Sequence, residues 1–342
     1  MRAARAETTF DPAGREGETL LPPEAAADLR AIEDSLVRIA PAHSTRIGSA
    51  ARHLLDAGGK RLRPLLGCTV ARALGRDPAP WIDVLAAVEL VHAGSLLHDD
   101  VIDGAELRRG RRSVHAAFDS HTAILAGDFL FSWAFDRLAR GGPRELQVAL
   151  GDAIRDLCEG EVLERERLFD ETAELTHVRR VNRLKTAGLF GYAAEAGALL
   201  AGADDGVRRA ARAYGVALGE AFQTVDDLLD WEGDPERLGK PPGRDLEDGL
   251  ITVPVALGCA RDPGLRNAVR DFWAARRNGG AQADALVRTL RVRLADAGAF
   301  DETRSLAHED AARAAQALVA FPAGRWRERL AAAAAAAVDR DR

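Results

Sequence analysis

The sequence predicts an all-α protein, with one large helical domain over residues 22–342. Three observations carry that reading. Only two tyrosines occur in 342 residues, β-branched runs are rare, and the strong helix formers Ala, Leu, Arg and Glu dominate. Apolar residues recur at three- and four-residue spacing through long segments, the period of a helix face. Proline and glycine clusters separate those segments, with no composition shift to mark a linker and no repeat of fixed period.

Residues 1–21 carry no apolar stretch of the signal-peptide kind and are predicted to be a mobile tail. The periodic segments then run Ala25–Ile39, Trp81–Leu97, Thr122–Leu138, Leu146–Leu168 and Val207–Leu229. Gly75 to Pro80, Gly141-Gly142-Pro143 and Pro263-Gly264 punctuate them. Trp81–Leu97 is apolar nearly all round, through Leu85, Val88, Leu90, Val91, Leu96 and Leu97. Such a helix belongs in the centre of a bundle or beside an apolar cavity. The alanine tract Ala331–Ala337 reads as the end of a helix, and no run approaches the 18 or so apolar residues of a membrane span.

Composition narrows the function. The chain is 47% apolar, enough for a sizeable core, and its 47 basic and 53 acidic residues give a net charge of −6. That balance gives no reason to expect nucleic-acid binding. Cys68, Cys158 and Cys259 are far apart and form no CxxC, so neither a disulfide framework nor a zinc site is expected, and a cytoplasmic location is.

The stretch LLHDDVIDGAELRRGRR, Leu96 to Arg112, raises the question of function. Asp99, Asp100 and Asp103 end the apolar helix, and Asp99 and Asp103 are one turn apart, about 6 Å along the axis. Carboxylates at a helix C-terminus sit in the negative end of the macrodipole. A divalent cation removes that penalty, and oxygen-only ligands suit Mg²⁺ completed by substrate phosphates. A lone DDxxD is more often a solvated helix end. Here a second cluster, Asp226, Asp227 and Asp230 in FQTVDDLLD, follows another apolar helical run. Two such clusters facing each other fit a diphosphate better than a single phosphate. Cations for that ligand come from Lys60, Arg61 and Arg63 in GGKRLRP, from Arg108, Arg109, Arg111 and Arg112, from Lys185 and from Lys240.

Taken in order and spacing, GGKRLRP, LLHDDVID with RRG, KTAGLF, FQTVDDLLD and GKPPGRDLEDG resemble the motifs of trans-isoprenyl diphosphate synthases, over roughly residues 40 to 260. The resemblance implies an isoprenoid-synthase-type bundle of antiparallel helices around a deep apolar cavity, usually a homodimer. It implies head-to-tail (1'-4) condensation of isopentenyl diphosphate with an allylic prenyl diphosphate. By resemblance Asp99, Asp100 and Asp103 hold two Mg²⁺ ions, and Asp226 with Asp230 holds a third. Arg108, Lys185 and Lys240 assist at the allylic diphosphate, and Lys60, Arg63, His92 and Arg109 match the isopentenyl diphosphate pocket. Thr186 and Gln223 match positions near the reacting carbons, and Asp227 supports the second metal site. The chain departs from short-chain members at Leu250, where DLEDGL replaces a lysine.

Product length is read from the residues above Asp99. In this family they help set cavity depth, and Gly94 and Ser95 are small where short-chain members often place an aromatic. Val91 and Val88 continue upward, and the next aromatic is Trp81, about 27 Å away by helical rise. The expectation is an all-trans product of about C30 to C50, with C20 or farnesyl synthesis as the alternative. Phe129, Phe131, Trp133 and Phe135 are the aromatics able to close the cavity from a neighbouring helix. Rival readings are a class I terpene cyclase, whose second motif resembles NxxxSxxxE, and a silent partner subunit lacking one aspartate motif. So hydrophobic a product also suggests transient membrane contact on release.

Overall fold

Helix follows helix along the chain because nearly every segment has a good helix former at most positions and a stop between. In a computed structural model, residues 25–38, 46–233, 242–278, 280 and 282–339 are described. The tail 1–21 and Lys240 lie outside the described residues. The N-terminal helices are α1 (Ala25–Val37), α2 (Arg46–Leu55), α3 (Leu62–Ala73), α4 (Ile82–Leu85) and α5 (Ala87–Ile102). After a short hairpin come α6 (Val114–Ala117), α7 (Ser120–Gly141), α8 (Arg144–Arg165) and α9 (Leu175–Asn182). A π turn (Arg183–Ala187) leads into α10 (Gly188–Leu200), and α11 (Asp205–Glu232) follows. The remainder is α12 (Arg244–Glu247), α13 (Val253–Arg261), α14 (Gly264–Arg277), α15 (Ala283–Asp296), α16 (Ala299–Ala317) and α17 (Arg325–Ala336).

Local chemistry sets several boundaries. The Asp119 carboxylate accepts from Thr122 N–H to open α7, and Asp204 accepts from Val207 N–H to open α11. Such caps satisfy amides that have no partner inside the helix. The alanine tract forms α17, where Leu330, Ala333 and Ala334 are buried against α3 and α16.

Two expectations need correction. Trp81–Leu97 is not one helix: Trp81 ends a 3₁₀ turn, and the chain is interrupted at Ala86 between α4 and α5. The motif after the aspartates also contains strand. Leu107–Arg108 pairs antiparallel with Arg111–Arg112 around Arg109 and Gly110, at φ 53° and 73°. Positive φ at both central residues is the two-residue hairpin turn that glycine favours, and it costs Arg109 some strain.

The larger core gathers side chains from α1 to α5, α7, α8, α10, α11 and α17, with Leu90, Val91, Leu97, Leu130 and Leu138 fully buried. A second cluster, around Trp231, Leu246, Phe272 and Trp273, joins the end of α11 to α12–α15. Helical residues 79–102 are apolar and long enough to cross a membrane by composition, yet 72% of their most apolar stretch is buried in the protein. Their apolarity serves the core, as expected for a central helix.

Candidate active site

Asp99 and Asp103 share the last turn of α5, where the Asp103 N–H donates to the Asp99 carbonyl at 2.8 Å. Asp100 is turned about 100° from Asp99 around the axis and is wholly buried. Its Oδ1 accepts from Arg108 Nε at 2.8 Å and Nη2 at 2.5 Å, and its Oδ2 has no partner. Of the three aspartates that the sequence groups together, Asp100 thus lies off the face shared by Asp99 and Asp103. Asp100 anchors Arg108, and through it the hairpin, from inside.

Two residues of this face went unread in the sequence. Glu161 and Glu164 lie three apart on α8, and both reach Lys185 Nζ, at 2.6 and 2.5 Å. Arg165 donates to Asp103 at 3.1 Å. Burial, then the nearby Glu161 and Asp103 carboxylates, push the Asp99 carboxyl up to about 7, with Lys185 opposing. Asp103 is raised for the same reasons.

Lys185 and Thr186 sit in the π turn between α9 and α10. Wider turns of this kind are frequent at functional sites. Here the turn is pressed against α8, since a Cβ on Gly160 would lie 3.0 Å from Lys185 N and Leu184 Cβ. Lys185 consequently points to α8 while Thr186 points to α11. Thr186 Oγ1 donates to Gln223 Oε1 at 2.9 Å, and Gln223 Nε2 donates to Asp227 Oδ1 at 2.9 Å. Asp227 also accepts from Asn182 Nδ2 and from Val253 N–H, both at 3.2 Å. Burial raises this carboxyl to about 6 against those three hydrogen bonds. Asp227 is thus the strut joining α9, α11 and α13.

Asp226, half-buried one residue before, acts on the Arg63 guanidinium instead. Asp230 is buried and accepts from the Asp245 N–H at 3.2 Å, so Asp245, at the start of α12, belongs to this end of the site. Among the described residues no three Asp, Glu, His or Cys side chains converge as a closed metal cage. The donors are hard carboxylate oxygens in pairs, which fits a cation completed by substrate phosphate rather than an all-protein site.

The basic residues assemble beside this. Lys60 is exposed at the loop before α3. Arg63 stacks 4.6 Å over the Phe190 ring. His92 is held well below its ordinary range by burial and by Arg63, Arg109, Arg61 and Arg108, so it is a neutral imidazole among cations. Gly59 permits this crowding: a Cβ there would meet Arg61 and Arg109 nitrogens at 2.9 to 3.2 Å. Arg61 is inverted relative to its neighbours. It is buried, and it binds Glu89 at 3.0 Å, Glu33 at 2.7 Å and the Leu55 carbonyl at 2.9 Å.

The chain-length residues are corrected in their surroundings. Val88 and Val91 keep 1% and 0% exposure, so no water-sized void lies beside them, contrary to the open cavity expected there. Ser95 is buried and turns its hydroxyl to the His92 carbonyl at 2.9 Å. Gly94 is small because α7 crosses it: a Cβ would sit 2.9 Å from the Phe131 ring and 3.1 Å from the Gly127 carbonyl. Phe131 also packs edge-on to His98, 5.5 Å between centroids. Of the aromatics suspected from sequence, Phe131 is the one over Gly94.

Comparison with known proteins agrees with this geometry. The polyprenyl synthetase family model matches residues 44–290. The octaprenyl diphosphate synthase of Escherichia coli is 34% identical over 290 residues, 85% of this chain and 88% of that one. Component 2 of the heptaprenyl diphosphate synthase of Geobacillus stearothermophilus is 42% identical over 231 residues, 67% of this chain and 71% of that one. The Caulobacter crescentus polyprenyl synthase, solved with calcium and isoprenyl diphosphate, superposes with a TM-score of 0.86 at 38% identity, covering 96% of this chain and all of that one. A Rhodobacter capsulatus decaprenyl diphosphate synthase gives 0.84 at 34% identity, covering 93% and 98%. The chain belongs to the polyprenyl synthetase family and is a prenyltransferase of the all-α isoprenoid-synthase fold.

Proposed function

We propose that the protein condenses isopentenyl diphosphate head-to-tail with an allylic prenyl diphosphate to give an all-trans polyprenyl diphosphate of about C30 to C50. The observation that carries this is the pairing of the Asp99/Asp103 face with a separate cluster of Arg63, His92 and Arg109. Two polyanion sites of different character are what a two-diphosphate condensation needs. A terpene cyclase has one diphosphate to hold, and a silent subunit has no use for both aspartate clusters. Relatives making octaprenyl and decaprenyl products support the long chain.

In this reading Asp99 and Asp103, with Asp226 and Asp230 opposite, hold Mg²⁺, three ions by family likeness. Bound there, the metal supplies charge to a departing diphosphate. The protein's own groups do the rest. Arg108, oriented by Asp100, and Lys185 face the allylic diphosphate. Lys60, Arg63 and Arg109 receive isopentenyl diphosphate, and neutral His92 donates one N–H to it. The Thr186 hydroxyl and Gln223 carbonyl, ordered by Asp227, present fixed dipoles toward the developing carbocation, at no reorganisation cost during reaction. Leucines and valines of α5 keep water away from that cation. The released diphosphate is the proton acceptor in this scheme.

Product length is proposed to depend on Phe131. Incubation with labelled isopentenyl diphosphate and C15 primer, then sizing of the alcohols, is expected to give C30 or longer. Phe131→Ala should extend the distribution by one or more C5 units, because it removes the ring that covers Gly94. A wild-type product of C20 would reject the long-chain reading, and an unchanged distribution would reject Phe131 as the floor. Gly94→Tyr is a poor test, since its Cβ alone collides with α7.

A homodimer is likewise proposed, supported by exposed apolar side chains at helical spacing on neighbouring helices. These are Ile124, Leu125 and Phe135 on α7, and Val148 and Val162 on α8. Light scattering should return twice the chain mass, and a monomer mass at micromolar concentration would overturn it.

A further inference from the structure

We propose that Glu161 and Glu164 are positioning residues of the condensation, which hold the Lys185 ammonium beside the Asp99/Asp103 face where the allylic diphosphate is received. The inference rests on the assignment of Lys185 and the two aspartates to that diphosphate. Three observations carry it. Both carboxylates lie on one face of α8, at i and i+3, and both contact the same nitrogen, at 2.6 and 2.5 Å. The side chains of Glu161, Glu164 and Lys185 are only 14%, 22% and 26% exposed, so this is not a solvated surface pair. The backbones are in contact as well, because Gly160, one residue before Glu161, packs on Lys185 N.

Lysine is a point charge on a flexible stem with many rotamers to lose. Two acceptors fixed on a long helix remove that freedom before substrate arrives. Charge counting shows why two are used. Asp99, Asp100, Asp103, Glu161 and Glu164 face Lys185, Arg165 and Arg108, which is five carboxylates against three cations and leaves a surplus of two. The surplus keeps the face attractive to cations, while the lysine remains tied to α8 instead of neutralising Asp99 directly. An ammonium released from α8 would move onto the aspartates and compete with the metal for them.

The test is steady-state kinetics of the full-length enzyme with each substrate varied separately. Glu161→Gln/Glu164→Gln is expected to raise KM for the allylic primer by about tenfold or more, as a misplaced charge does. KM for isopentenyl diphosphate should stay within about twofold, since the Arg63 cluster is untouched. In a Lys185→Met background the same two substitutions should add no further loss, because residues acting through one group are non-additive. Full additivity in that background would overturn the proposal, showing that the glutamates touch substrate or metal themselves. Equal rises in both KM values would overturn it too, as the mark of a general distortion. Lys185→Met alone separates the two layers. If it raises the allylic KM while the glutamate variants do not, only this inference fails. If it leaves the allylic KM unchanged, the assignment of Lys185 to that diphosphate fails and takes the inference with it.

Discussion

Asp99→Ala should lower kcat by about 10²–10³-fold, the loss typical of removing one preorganised electrostatic group, while leaving the helical circular dichroism intact. Asp99 is partly exposed at the edge of α5, and its carbonyl accepts the Asp103 N–H, a backbone bond that alanine retains. The substitution should also change the pH dependence of stability in a direction that can be worked out. The carboxyl is raised to about 7 from an ordinary 3.8, chiefly by burial. Between those values the folded protein binds more protons than the unfolded chain, so stability without metal falls as pH rises through that window. Saturating Mg²⁺ favours the ionised form and should flatten the slope. Urea melts at pH 5 and pH 8, with and without Mg²⁺, measure this directly. Asp99→Ala should reduce the metal-free slope and make the metal-free protein no less stable at pH 8. A kcat within threefold of the parent would remove Asp99 from the reacting site.

Asp99 and Asp100 also show what a sequence discloses about such a site and what it withholds. The motif is legible because three aspartates ending an apolar helix are chemically anomalous. Helical geometry already separates Asp100 from the Asp99/Asp103 face by its 100° turn, yet only the hairpin shows what Asp100 meets. That hairpin was hidden because four residues of strand in an arginine-rich segment carry no alternation. Glu161 and Glu164 were hidden for a related reason. On a long amphipathic helix, carboxylates read as solvated surface until the fold places a lysine between them. Gly94 misled in the opposite sense. A small residue looks like room for a ligand, and the sequence holds no sign that Phe131 and the Gly127 carbonyl use that room for a helix crossing. The fold class was easier, since it depends on periodicity summed over long segments and tolerates local errors such as the break at Ala86.

Arg61→Met is expected to cost about 3–5 kcal/mol of stability, the usual penalty for stranding one partner of a buried ion pair. The Arg61 and Glu89 side chains are only 2% and 4% exposed. Removing the guanidinium leaves the buried Glu89 carboxylate without its Arg61 donor and takes one of two donors from the Leu55 carbonyl, which keeps the Gly58 N–H at 3.2 Å. The loss should appear as a lower urea midpoint with an unchanged slope, and a loss under about 1 kcal/mol would contradict the pairing argument. Arg61→Met/Glu89→Leu tests the cause, because replacing both charges by apolar groups is often neutral where breaking one pair is not. The double variant should therefore recover much of the lost stability. It should not recover function. Glu89 also acts favourably on the Arg63 and Arg109 cations, so without it these two like charges beside neutral His92 lose a buried counter-ion. KM for isopentenyl diphosphate should stay raised in the stable double variant, with KM for the allylic primer much less affected. That split would separate the two duties of one buried glutamate: partner to Arg61 in the fold, and counter-ion beneath the arginines that receive the second substrate.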